Sequence, residues 1–140
     1  GLYKETDSHK KTADLKARCQ LINDTAPALT ISIHQNSYSD AGISGAQVFY
    51  YSTSEKSRLL AEQLQEKLIS MVDPTNHRAA KANDSYYMLR KTVSPTVIVE
   101  CGFLSNEKEC KKLQEEKYQD KIVEAIYQGI VTFAQMQESN

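Results

Sequence analysis

The chain has 140 residues, with 17 Lys and Arg against 18 Asp and Glu for a net charge of −1. That length fits one domain with a sizeable core, and 40% hydrophobic with 25% charged residues is ordinary globular composition. Near-neutral charge argues against a phosphate-neutralising nucleic-acid binder. No apolar run approaches a membrane span, the first residues carry no signal-peptide core, and no low-complexity tract points to a fibrous or disordered chain.

Residues 1–11 are polar and aperiodic, and are expected to form a loop entry. From Thr12 a helical period begins: Leu15, Cys19, Ile22 and Ala26 share one face, and Pro27 ends the helix. Residues 29–33 alternate apolar and polar, the pattern of a short strand that runs straight into His34. A polar, glycine-bearing loop over 35–45 leads to a second strand over 46–51. Ser52 and Glu55 have capping-box spacing. They open a helix with Leu60, Leu64, Leu68 and Val72 on one face, which stops at Asp73-Pro74. Residues 73–85 are expected to be loop and 86–89 a short strand. Thr96-Val97-Ile98-Val99 is a continuous apolar run, the mark of a strand covered on both faces, and it leads into Glu100. After a GFLSN loop, Asn106 and Glu109 read as another N-cap and capping box, opening a charged helix to about 116 with a solvated Lys/Glu face over 107–117. A final helix over 119–137 has two adjacent stripes, Ile122, Ile126, Ile130, Phe133 and Val123, Tyr127, Val131, Ala134, which together predict a wide buried face. Helices alternating with short apolar strands predict an α/β fold: one domain with a twisted, mostly parallel sheet and helices on both faces.

Cys19, Cys101 and Cys110 are three, so at least one is unpaired, and none has metal-binding spacing; free, mostly buried thiols are expected. The chemistry-bearing candidates are His34 and Glu100, each at the end of a predicted strand. In open α/β sheets the loops beyond the carboxyl ends of strands converge on one edge, so the two can share a site. A neutral imidazole is a common zinc ligand, and a carboxylate in a partly apolar pocket acts as a general base. His34 also has a plainer reading, as a hydrogen-bonded loop residue, whereas burying an unpaired carboxylate such as Glu100 costs several kcal/mol and points to function. Weaker alternatives are a Cys101/His34 nucleophile, which strand alternation disfavours, and a Glu5/His9 ligand pair. His77-Arg78 reads as a solvated loop, with substrate contact as the alternative. Tyr38, Tyr50, Tyr51, Tyr86 and Tyr87 could line a sugar or peptide cleft. No GxGxxG, Walker, HExxH or GxSxG pattern is present.

Ile31-Ser32-Ile33-His34-Gln35-Asn36 resembles the S-I-H-x-N motif of zinc-dependent N-acetylmuramoyl-L-alanine amidases. Pro95-Thr96-Val97-Ile98-Val99-Glu100-Cys101-Gly102-Phe103-Leu104-Ser105-Asn106 resembles their P-x-x-x-V-E-x-G-F-x-S-N motif. Gly45 to Tyr51, Met88-Leu89-Arg90, and Arg18 with Asn23 also fall where that family has similar residues. The GAQVFYY stretch and the lack of wall-binding repeats resemble the spore-cortex, germination-specific branch. The resemblance implies hydrolysis of the amide between N-acetylmuramic acid and L-alanine in peptidoglycan, with Zn2+ as cofactor. It implies His34 as a zinc ligand, Glu100 as the catalytic glutamate, and Asn36 and Arg90 as substrate contacts. It also implies an exported, cell-wall location.

One departure matters. The family's first zinc-binding histidine, in a D-P-G-H-G-G strand end, and its glutamate ligand have no counterpart in this sequence. A catalytic zinc ordinarily takes three protein ligands plus water. The 140 residues are therefore expected to be the C-terminal portion of a catalytic domain, lacking an N-terminal β-α-β part and inactive alone. The alternative is a non-catalytic peptidoglycan- or partner-binding fragment. A bared sheet edge is a place for self-association or a partner protein.

Overall fold

The computed structural model describes residues 7–25 and 28–138, with side chains from residue 13 onward except Thr25. The strands are β1 (Thr30–Asn36), β2 (Gln47–Tyr50), β3 (Lys81–Ala82) and β4 (Thr96–Phe103). The helices are α1 (Asp7–Thr25), α2 (Glu55–Lys67), α3 (Tyr87–Lys91), α4 (Glu107–Leu113) and α5 (Glu116–Glu138). The sheet order is β1-β4-β2-β3; β1 and β4 are parallel, as are β2 and β3, while β2 runs antiparallel to β4. The expected mostly parallel α/β sheet is therefore present, with one antiparallel pairing, β2 against β4. Among the described residues no helix is long and apolar enough to cross a membrane.

β4 is buried along its whole length. Its Val97, Val99 and Cys101 point into the main core with Val48, Leu60, Leu64 and Leu68, closed by Leu113, Ile122, Ile126 and Phe133. That core lies between the sheet and the α2, α4 and α5 layer. Gly129 lets α2 and α5 approach closely: a Cβ there would lie 2.7 Å from Leu64 Cδ2 and 3.1 Å from Leu64 Cα. The opposite face of the sheet is covered by α1 and α3. Asn23 ties these together, donating to the Lys91 carbonyl (2.8 Å) and accepting from the Val93 N–H (2.9 Å).

Several expectations are corrected. The first helix starts at Asp7, so 7–11 is not loop: no glycine or proline interrupts it, and a helix can outrun its apolar stripe. α2 is capped by Ser54, which accepts from Ser57 N, whereas Ser52 is engaged with Asp84. The helix does not simply stop at proline; it widens into a π-helical turn over Leu68–Val72, closed by Asp73 N donating to the Leu68 carbonyl. Residues 86–89 are not a strand but the entry and body of α3. Asn83 Oδ1 accepts from the Ser85 and Tyr86 N–H groups and turns the chain just before it. Within the expected 73–85 loop, Lys81–Ala82 pairs with β2. On α5 the second apolar stripe is largely solvated: Val123 is 64% and Tyr127 58% exposed, and Ala125 and Gly129 are buried instead. Both long strands also outlast their apolar runs. β1 continues to Asn36 and β4 to Phe103 because the two keep pairing past a register irregularity between His34 and Asn36.

Candidate active site

That continued pairing places His34 and Glu100 inside strands rather than beyond them. The two are register partners across β1 and β4. Side chains alternate along a strand, so Glu100 and Ile98 face away from the Val97-Val99-Cys101 core, on the same side as Ser32 and His34. They open into a cavity of about 240 Å³, walled by Leu15 and Arg18 of α1 and by Tyr86, Tyr87 and Met88 at the start of α3.

Ser32 Oγ and His34 Nε2 are 2.7 Å apart, a hydrogen bond that fixes the imidazole. Glu100 is only 7% exposed, and its Oε2 is buried with no hydrogen-bond partner among the described residues. Burial pushes its carboxyl above the ordinary carboxylate range, and the neighbouring His34 pulls it part of the way back. Burial, and secondly the Glu100 charge, raise the Tyr86 hydroxyl as well. Tyr86 is held by Phe49, with ring centroids 5.9 Å apart in an edge-on contact. On the other side of Glu100 its register partner is Gln47, anchored by donation to the Ala79 carbonyl (2.9 Å). A desolvated carboxyl with an unpaired oxygen, facing a cavity beside an imidazole, is equipped to take a proton from water and return it.

The donor set does not complete a zinc site. Among the described residues no three His, Cys, Asp or Glu side chains come together, and the cavity offers one imidazole and one carboxylate where a catalytic zinc takes three protein ligands. The Glu5/His9 pair falls outside the residues whose side chains are described.

Asn36 and Arg90 do not line this cavity. Asn36 Oδ1 accepts from Ser37 N and its carbonyl from Leu104 N, while Arg90 is exposed in the last turn of α3. Of the five tyrosines, Tyr86 and Tyr87 reach the cavity. Cys101 is in the core, its thiol pushed by burial up to about 11, which suits a packing residue rather than a nucleophile. Cys19 and Cys101 are buried and Cys110 half-buried, all free as expected. Arg78 is not a solvated loop cation: it donates to the Ser44 carbonyl (2.8 Å) and to Gln47 Oε1 (3.2 Å), and stacks over Phe103 at 5.2 Å. Ser32 was missed as a site residue, although its spacing of two from His34 on a strand is the signal for a shared face.

The sequence profile of the N-acetylmuramoyl-L-alanine amidase family matches residues 2–132. The chain belongs to this family. It is 37% identical over 126 residues to the germination-specific N-acetylmuramoyl-L-alanine amidase of Bacillus subtilis (strain 168), covering 90% of this chain and 53% of that protein. It is 32% identical over 117 residues to the amidase LytC of the same organism, covering 80% of this chain and 23% of that one. The chain thus spans about half or less of these curated relatives. Among solved structures, the CwlD amidase from Clostridioides difficile, in complex with the GerS lipoprotein, superposes with a TM-score of 0.89 at 41% identity, over 97% of this chain and 71% of that one. An N-acetylmuramoyl-L-alanine amidase from Clostridium difficile 630 superposes with a TM-score of 0.80 at 30% identity, over 86% and 65%.

Proposed function

We propose that the protein to which this chain belongs hydrolyses the amide between N-acetylmuramic acid and L-alanine in peptidoglycan, and that Glu100 is its catalytic carboxylate. The observation that carries this reading is the pairing of Glu100 with His34 on one wall of a cavity in an amidase-family chain. Glu100 takes a proton from the attacking water as its oxygen bonds to the amide carbon. It then delivers that proton to the departing alanine nitrogen as the C–N bond breaks. Tyr86 and Tyr87 wall the space the glycan-peptide enters, and Asn36 and Arg90 contact substrate farther from the reacting bond.

Zinc is the family's implied cofactor, with His34 as one ligand. The remaining ligands then come from the part of the relatives that this chain does not span, on a β-α-β unit that extends the sheet beyond β1. The described donors do not complete the site, so no step above runs through the metal. Likeness to a germination-specific amidase supports action on the spore cortex, outside the cytoplasmic membrane. The lipoprotein bound to the CwlD amidase supports a protein partner.

The incomplete donor set favours a second reading, in which these residues bind peptidoglycan or a partner without catalysis. A chelator titration of the full-length protein on soluble muropeptides separates the two. The enzyme releases stem peptide, loses activity with its zinc, and is silenced by Glu100→Ala with zinc retained. Muropeptide binding that ignores both chelator and Glu100→Ala, without hydrolysis, selects the second reading.

A further inference from the structure

The run over 107–117 is Lys- and Glu-rich, and most of it is solvated, yet Glu109 is only 7% exposed. Its carboxylate turns inward instead of reaching back to its own helix end. Asn106 does the capping, with Oδ1 accepting from Glu109 N at 3.0 Å. The carboxylate oxygens accept from Gly45 N at 3.0 and 2.9 Å, and Oε1 also accepts from Phe103 N at 2.6 Å. These partners of the buried carboxylate are backbone N–H groups, bonds that are short and strong because the acceptor is charged.

One of the two N–H groups lies at the end of the strand that carries Glu100, the other in the segment that leads into the neighbouring strand. Phe103 ends β4, three residues after Glu100. Gly45 precedes β2, two residues before Gln47, the register partner of Glu100. Gly102 leaves room for the carboxylate: a Cβ there would meet Glu109 Oε1 at 2.5 Å. Nearby, Leu104 N donates to the Asn36 carbonyl (2.7 Å), Tyr38 N to Ser105 Oγ (2.9 Å) and Asn106 Nδ2 to the Ala41 carbonyl (3.1 Å). The turn that follows Glu100 is thereby stitched to the loop that follows His34.

We propose that Glu109 is a positioning residue for the active site. Its carboxylate clamps Gly45 to Phe103, and so sets where Glu100 stands relative to Gln47 on β2 and His34 on β1. The proposal rests on the catalytic role assigned to Glu100.

Glu109→Gln in the full-length enzyme tests it, because the side chain keeps its size and loses its charge. Amide NMR signals of Gly45 and Phe103 should shift upfield as their hydrogen bonds weaken. On a soluble muropeptide kcat should fall about 10- to 100-fold, with KM within about twofold, the pattern of a misplaced catalytic group. Gly102→Ala displaces the same carboxylate, so the double variant should be no slower than the slower single one. Wild-type kcat in a folded Glu109→Gln protein overturns the proposal. So does a lowered Tm with unchanged kcat per folded molecule, which marks a purely structural residue. If Glu109→Gln does not fold, Glu109→Asp keeps the charge but shortens its reach; wild-type kcat with the Gly45 signal shifted is equally fatal. An inactive wild-type enzyme refutes the amidase reading itself, and the positioning role with it.

Discussion

Glu100 and His34 stand opposite one another across two parallel strands, yet their side chains are held differently. Ser32 holds the imidazole, whereas Glu100 Oε2 is buried with no partner among the described residues. Such a carboxyl costs stability whenever it is ionised, a cost that persists in evolution when the group has chemistry to perform.

Glu100→Gln is therefore expected to stabilise the fold at neutral pH by roughly 1 kcal/mol while abolishing hydrolysis. The sign follows from the raised carboxyl pKa. Between the ordinary carboxylate range and the folded value, the unfolded chain has lost its proton and the native one keeps it, so native stability falls as pH rises through that window. Below the window both states are protonated and the advantage of glutamine vanishes. Urea unfolding of both proteins at pH 7 and near pH 3.5 checks this; equal midpoints at pH 7 would contradict it.

The thiols should separate by burial. Cys110 is half-buried, whereas Cys19 and Cys101 are buried and their thiols raised, Cys101 to about 11. A thiol reagent at pH 8 should label Cys110 first in the native protein and all three only after unfolding. Above the ordinary thiol range the unfolded chain ionises Cys101 while the fold keeps it protonated, so stability should decline toward pH 11, reinforced by Tyr118, raised to about 12. Mass mapping of the label reads the first outcome directly.

Gln65 is 3% exposed and bridges α2 to the sheet, accepting from Val48 N at 2.8 Å and donating to the Ala46 carbonyl at 3.1 Å. Gln65→Leu keeps the bulk but strands a buried N–H, and should cost about 1–3 kcal/mol. Chemical denaturation measures the cost, and amide exchange at Val48 should accelerate with it.

Gly129→Ala should destabilise by about 1–3 kcal/mol, since the new methyl meets the backbone of Leu64 as well as its side chain. The loss should show as a lower melting temperature. An unchanged value would mean that α2 and α5 can separate freely.

Much of the fold was legible locally. The strand composition of 29–33 and 96–99, the leucine stripe of α2 and the Asn106 cap are short-range signals, and each produced its element. The reading failed where a partner elsewhere in the chain decided. The stripe through Val123 and Tyr127 has an apolar period like its neighbour, but the described sheet and helices cover only one of the two. Tyr86-Tyr87-Met88-Leu89 has strand composition, but among the described residues no strand pairs with it, and the turn at Asn83 leads it into helix.

By itself the sequence determined the α/β class, the strands that bear His34 and Glu100, and, through the motifs around them, the family. Alternation along a strand is a local property, so it also separated Cys101 from Glu100. Tertiary structure alone decided that His34 and Glu100 are register partners, because strand pairing is set by contacts across the sheet rather than along the chain. It also decided that Glu109, one acidic residue in a charged run, is a buried anion clamping Gly45 to Phe103. Its two bonds to Gly45 N span 64 residues of sequence, and no local pattern encodes an acceptor at that distance.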